Sequence, residues 1–306
     1  MPPTITRRLI TVVQEFSSQI LKTTIDELRR TKRVIVTPES RPRGEAPFFL
    51  VGVHRSGTTL LRLLVDSHSR IACPPESFLL LPLSQVLADA KAVEGLKAMG
   101  FAEDHVVDRL REFASYFFET YAGVHGKLRW ADKTPSYIDC LDFIDRLYGP
   151  ACRYVLIYRH GLDAACSIAR VGPRELMPHA EACGGDRFAG AARYWATQCG
   201  KMREFARRHP DRCLEVRYEE LSRSPEPVMR RVFAFVGEAF EPEVLRFYEK
   251  PHDRWIGLED RKASQARGFE PNVGRYREEP PEVIRSMLRE AGPMLETLGY
   301  SVEAAN

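Results

Sequence analysis

The sequence lacks any long hydrophobic run. Its apolar stretches fall short of the roughly eighteen residues that a membrane-spanning helix requires, and no charged leader followed by an apolar core is visible. The expectation is a cytoplasmic protein with no transmembrane segment. It also lacks an excess of either charge. With 45 Lys and Arg against 42 Asp and Glu the net charge is +3, which argues against a nucleic-acid partner but leaves room for a local basic pocket. No C-x-x-C pair occurs. The seven cysteines, at 73, 140, 152, 166, 183, 199 and 213, are odd in number and scattered, the pattern of buried thiols in a reducing compartment. His179 and Cys183 stand four apart without further ligands at useful spacing, so no metal site is expected.

What is present is an ordinary globular composition: 306 residues, 44% hydrophobic and 28% charged, enough for one large domain. Residues 1–46 read as an N-terminal helix and linker ahead of a domain at 47–306. Ile5, Leu9, Val12, Val13, Phe16, Ile20, Ile25 and Leu28 recur mostly at steps of three and four, the mark of an amphipathic helix. Such a helix over 5–30 packs on its own domain or on a second copy of the chain. Its basic edge, with Arg7, Arg8, Lys22, Arg29 and Arg30, also allows docking to a carrier or a membrane surface. Thr37 to Pro47 holds three prolines and a glycine among charges, as a surface connection does.

The chain is organised around Phe48 to Val65, FFLVGVHRSGTTLLRLLV. Phe48–Val53 is apolar without alternation, as in a buried strand of a parallel sheet. Leu60, Leu61, Leu63, Leu64 and Val65 give the following helix its apolar face, with Thr58 and Thr59 in its first turn. The loop between, Gly52 to Gly57, is a phosphate cradle: backbone N–H groups converge on an anion where the helix dipole favours negative charge. Its spacing approaches the nucleotide-triphosphate loop G-x-x-x-x-G-K-[ST], with Gly52, Gly57 and Thr59 in place. The lysine is missing. Thr58 takes its position and the cation moves into the loop as Arg55, which does not suit a triphosphate.

His54-Arg55-Ser56-Gly57-Thr58-Thr59-Leu60 resembles the 5′-phosphosulfate loop of sulfotransferases that use 3′-phosphoadenosine 5′-phosphosulfate (PAPS), in the R-S-G-T-T-L form of tyrosylprotein sulfotransferases and many bacterial enzymes. The resemblance implies cofactor contacts from Arg55, Ser56, Gly57, Thr58 and Thr59, and a second half of the site downstream. Arg153–Tyr158 reads as another buried strand, followed by Arg159 and, eight residues on, Ser167 on a helix beginning near Ala164. In the resembling family such a pair holds the 3′-phosphate, a task that suits the planar arginine fork. Cys213–Tyr218 reads as a third strand. The resemblance places Tyr218, in V-R-Y-E-E-L, beside the cofactor, and Arg275, in V-G-R-Y, on the loop that closes it.

Catalytic roles are implied for three residues. Glu76, 21 residues after Arg55 and held by Pro74 and Pro75, matches the family's acidic base toward the acceptor; a carboxylate on a rigid turn can take the proton lost as the new S–O bond forms. His68 is the lesser candidate, read as lying within the first helix. Lys133, in D-K-T-P beside a short strand end at Trp130-Ala131, would join Arg55 in stabilising charge on the transferred group. The implied reaction is in-line transfer of a sulfuryl group from PAPS to a hydroxyl (or amine) of an acceptor, most simply a small molecule, without a metal.

Residues 84–125 read as helical, with Phe101, Val106, Val107, Leu110, Phe113, Phe117 and Tyr121 on the inward side, over the acceptor pocket. Arg187–Arg208, Pro225–Val236 and 280–298 read as further helices. Alternation of strands and helices predicts an α/β fold: a P-loop-like parallel sheet with helices on both faces, the sulfotransferase fold, with ligands beyond the carboxyl ends of the strands. Two alternatives stay open. A P-loop kinase or nucleotide-hydrolysing enzyme would place a lysine at 58 and an aspartate after a later strand; a non-catalytic phosphoadenosine-binding protein would not need Glu76.

Overall fold

The computed structural model describes residues 46–172, 174–252, 268–269 and 271–301, all within the unit Ser40–Asn306. The helix expected at 5–30, most of the linker, and Lys262 to Arg267 of the polar tail lie outside the described residues. In chain order, β1 (Phe48–Val51) leads through the 52–57 loop into α1 (Thr58–Asp66), the short β2 (Ile71–Ala72), and helices α2 (Leu80–Ala88), α3 (Ala90–Ala98) and α4 (Glu103–Val124). Then follow β3 (Arg129–Asp132), a 3₁₀ turn (Pro135–Cys140), α5 (Leu141–Tyr148), β4 (Arg153–Tyr158), α6 (Gly161–Val171), α7 (Met177–Ala182) and α8 (Arg187–Arg208). β5 (Cys213–Arg217), α9 (Tyr218–Arg223), α10 (Pro225–Val236), the 3₁₀ segments Pro242–Glu249 and Arg275–Glu278, and α11 (Pro281–Thr297) follow.

The strands form one sheet in the order β2-β3-β1-β4-β5, with every pairing parallel. Burial on both faces explains the unbroken apolar runs. Phe49, Val51, Tyr154, Leu156 and Tyr158 face the core completed by α8 and α11, through Trp195, Met202, Met287 and Leu295. Phe48, Leu50, Val155 and Ile157 face the opposite core, completed by α1 and α10 through Leu61, Leu64, Met229 and Phe233. The long α8 starts where it does because the Asp186 carboxylate accepts from the N–H groups of Phe188 and Ala189, at 2.9 and 3.0 Å, a side-chain cap on otherwise orphaned donors.

Four readings are refined. β1 stops at Val51, because Gly52 and Val53 already belong to the turn. Ile71 and Ala72, assigned to no element from the sequence, pair with Arg129 and Trp130 as the sheet's edge. α6 begins at Gly161 rather than Ala164, where Glu219 Oε1 accepts from the His160 N–H at 2.8 Å. In α4 the buried stripe is Val107, Ala114, Phe118 and Ala122, whereas Phe101, Phe113 and Phe117 are 42%, 50% and 49% exposed. Neighbouring helix positions differ by about 100°, and the small Ala114 and Ala122 let Phe118 stack on Trp130 with centroids 4.4 Å apart.

β1 and β4 are adjacent, but the chain leaves them toward opposite edges of the sheet. The carboxyl ends of these strands therefore open a crevice at a switch point of the topology. Among the described residues no helix is long and apolar enough to cross a membrane.

Candidate active site

The 52–57 loop lies in that crevice, and its two glycines have specific causes. A Cβ on Gly52 would come 2.6 Å from Ile157 Cγ2 of β4, and one on Gly57 would meet the Tyr218 ring at 2.3 Å. Gly57 also has φ of 90° and Arg55 φ of 68°, left-handed conformations that turn the chain sharply and are uncommon for a residue with a side chain. The Ser56 N–H donates to Val53 O at 3.0 Å and closes the turn. No side chain caps α1 at Gly57, and the buried Ser56 Oγ has no hydrogen-bond partner. Thr58 and Thr59 are buried in the first turn of α1, as the sequence predicts.

The second half of the site meets the first directly. Arg159, at the end of β4, donates from Nη1 to Arg55 O at 2.7 Å and from Nη2 to Asn272 O at 2.5 Å. Its guanidinium lies 4.8 Å from the centroid of the Tyr218 ring, while its buried Nε has no partner. Arg55 Nε donates to Ser167 Oγ at 2.8 Å. Four residues named from the sequence, Arg55, Arg159, Ser167 and Tyr218, thus form one cluster, with Ser167 tied to Arg159 through Arg55. Arg275 does not join it in the described contacts: its side chain is 56% exposed and its Nε pairs with Glu278 at 3.6 Å.

What brings the 271–276 segment to the site is Asp163, a residue the sequence reading left without a role. Its buried carboxylate accepts from the N–H groups of Gly274 and Tyr276 at 2.7 and 3.0 Å, and the Asn272 N–H donates to Tyr218 OH at 3.3 Å. An acid one turn into a helix after R-H-G-L was the available signal, but nothing local says what it binds. Hydrogen bonds to a charged acceptor contribute about 1.5–3 kcal/mol each. Asp163→Ala is therefore expected to speed amide exchange at Gly274 and Tyr276 while leaving exchange across β1 and β4 unchanged; protected Gly274 and Tyr276 amides in that variant would count against the clasp.

On the other side, two turns are sewn together. Ser77 Oγ donates to Asp132 Oδ2 at 2.8 Å and lies 2.8 Å from Tyr137 OH, and the Ser77 N–H donates to Thr134 Oγ1 at 3.3 Å. These bonds set Glu76 against Lys133, and the two form an ion pair in which Lys133 is 0% and Glu76 7% exposed. Burial pushes the Asp132 carboxyl up to about 6, against the opposing hydrogen bonds of Ser77 and Tyr137. His68, the rival base, lies beyond the end of α1 and not within it. It is buried against Phe233, with centroids 4.8 Å apart, and its Nε2 is 2.9 Å from Ala239 O.

His54 was passed over in the sequence, although it adjoins Arg55. Burial lowers its pKa, as do the Lys133 and Arg55 charges more weakly, while Glu175 and Glu76 oppose the shift. Its ring centroid is 6.4 Å from that of Tyr194, and its buried Nε2 has no hydrogen-bond partner.

Comparison with known proteins decides the family. The model described as "Sulfotransferase family" matches residues 47–242, more than half of the chain. The chain belongs to the sulfotransferase family. The resemblance drawn from the loop motif thus holds for family and fold. The chain is 30% identical over 217 residues to nodulation protein NoeE of Sinorhizobium fredii, covering 65% of this chain and 51% of that protein. It therefore spans about half of that relative's length. It is 26% identical to protein-tyrosine sulfotransferase 2 of Gallus gallus, covering 86% of this chain and 71% of the relative. Among solved structures, the sulfotransferase domain of the Synechococcus PCC 7002 olefin synthase aligns with a TM-score of 0.59 at 21% identity, covering 86% of this chain and 98% of the domain. The fold is the same.

Proposed function

We propose that the protein transfers a sulfuryl group from PAPS to a hydroxyl of an acceptor by in-line displacement. The observation that carries this reading is the convergence of the Arg55 loop, Arg159 and Ser167 at the carboxyl ends of β1 and β4, next to the buried Glu76–Lys133 pair. The residues fit such a donor. The loop offers an uncapped helix end and the unpartnered Ser56 Oγ, and the second half offers the unpartnered Arg159 Nε. Ser56 to Thr59 would hold the 5′ end, and Arg159 with Ser167 the 3′-phosphate. When bound, PAPS supplies an activated sulfuryl group. Arg55 and Lys133 stabilise negative charge developing around it, and Glu76, ion-paired with Lys133, receives the hydrogen bond of the acceptor hydroxyl and draws its proton.

A kinase-like reading is less favoured, because Thr58 stands where a phosphate-binding lysine would, and β4 ends in Tyr158 and Arg159. A small-molecule acceptor fits the fold shared with the sulfotransferase domains of an olefin synthase and of the curacin biosynthetic pathway. A protein tyrosine is the second reading, motivated by the match to tyrosine sulfotransferases. The seven free thiols agree with a reducing compartment, and a cytoplasmic location is part of our reading.

Calorimetry with 3′-phosphoadenosine 5′-phosphate (PAP) against ATP–Mg²⁺ tests the donor. Selective binding of PAP is expected, and preference for ATP would overturn the proposal. Labelled donor offered to a panel of hydroxylic metabolites and to tyrosine peptides separates the two acceptor readings. General-base catalysis typically contributes about 10²–10⁴-fold, so Glu76→Gln is expected to lose turnover by that order while still binding PAP. Unchanged turnover in this variant would remove Glu76 from the mechanism.

A further inference from the structure

We infer that His54 is the proton's destination in the transfer step, with Nε2 receiving the proton that leaves the acceptor hydroxyl past Glu76. The inference rests on the sulfuryl-transfer reading and assigns a further group to the same site. Three observations carry it.

The first is position. His54 precedes Arg55 in the 52–57 loop, at the strand-to-helix turn proposed to hold the donor. The charges that face it come from separate elements: Glu76 from the turn after β2, Lys133 from the turn after β3, Glu175 from the segment between α6 and α7, and Arg55 from its own loop. On the α8 side it meets Tyr194, whose ring lies 5.4 Å, centroid to centroid, from that of His179.

The second is an unpartnered ring nitrogen. His54 Nε2 is buried and without a hydrogen-bond partner. A buried polar atom left unpaired is costly unless it serves a purpose, and an imidazole nitrogen with no donor on it can accept a proton.

The third concerns where a proton can rest. Protonating Glu76 would leave Lys133, which is fully buried, without its counter-charge, and breaking a buried pair in this way is strongly unfavourable. Burial holds the His54 pKa below its ordinary value, so at neutral pH the ring is uncharged and ready to accept.

In the step, the acceptor O–H bond breaks and its proton passes by way of Glu76 to His54 Nε2. The oxygen's electron pair forms the new S–O bond. The S–O bond to the 5′-phosphate breaks with its electrons on PAP. The imidazolium then returns its proton to solvent.

The test has two parts on the full-length protein. Nitrogen-15 spectra of the histidine rings, with His54 assigned by comparison to His54→Gln, are expected to show Nε2 unprotonated at pH 7.5 without any ligand. An Nε2–H tautomer or an imidazolium at that pH would overturn the inference. In the second part, PAP release from PAPS is followed against pH with water as the acceptor. The wild type is expected to lose rate as pH falls through the range below about 6.5, where imidazole protonates. His54→Gln and His54→Asn are expected to be at least tenfold slower at pH 7.5 and to lack this acid limb, with PAP affinity retained as evidence of an intact fold. A His54→Gln enzyme with wild-type rate and pH profile would sink the assignment. Absence of PAP binding to the wild type would instead count against the donor reading, and the ring tautomer is decided independently of it.

Discussion

Arg159→Ala is expected to weaken PAP binding by between about 30-fold and several-thousand-fold, the range that corresponds to the roughly 2–5 kcal/mol lost when one partner of a buried charge-assisted contact is removed. Two effects combine. In the folded chain the guanidinium already bridges Arg55 O and Asn272 O, so it joins the donor loop to the 271–276 segment while its Nε stays unpartnered. Removing it leaves two carbonyls without their donor and takes away the cation proposed for the 3′-phosphate. Arg159→Lys separates the contributions. A lysine keeps the charge but cannot span two acceptors with a planar fork, so it is expected to recover part of the affinity but not the order of the 271–276 segment. Calorimetry with PAP on the three proteins measures the first property and amide exchange the second. Wild-type affinity in Arg159→Ala would remove Arg159 from the binding site.

Lys133→Met is expected to be the most destabilising single change in the site. It leaves Glu76 as a buried carboxylate without its cation, a situation that costs about 3–5 kcal/mol. For a domain of this size that corresponds to a fall of roughly 10 °C in Tm. The double variant Glu76→Gln/Lys133→Met is expected to recover most of this loss, because two neutral groups need no mutual compensation. Turnover is expected to stay abolished in both. Thermal unfolding of wild type, both single variants and the double variant closes the cycle. Additive losses would mean that the pair is not coupled, and the mechanism would lose its reason for burying a lysine there.

The sequence allowed the sheet's two central strands to be read well. β1 and β4 carry unbroken apolar runs after Pro47 and before Arg159: β4 spans Arg153–Tyr158 as read, and β1 starts at Phe48 as read but stops at Val51, two residues short of Val53. The donor loop was legible because its glycines and small hydroxyl residues fit few other uses. The two-residue β2 was not legible, since its pairing with Arg129 and Trp130 comes from the partner strand and not from any pattern of its own. The inward face of α4 was read one position off, because Phe113 and Phe117 satisfy helical periodicity as well as Phe118 does, and only the fit against Trp130 chooses between them.

The site divides in the same way. Arg55, Glu76, Lys133, Arg159, Ser167 and Tyr218 were named through the resemblance of short motifs to the sulfotransferase family, each at a strand end, turn or helix start; residue type and spacing alone did not assign them. The motifs did not say that Arg55 would hold Ser167 across 112 positions, that Lys133 would close on Glu76 across 57, or that Asp163 would clasp Gly274 across 111. Nor did they bring out His54, whose neighbours Glu76, Lys133 and Glu175 come from three separate turns. The reason is range. Periodicities of two and 3.6 residues act over one strand or one helix, whereas the meeting of distant loops depends on strand order. It is the placement of β3 and β4 on either side of β1 that carries those residues to one crevice.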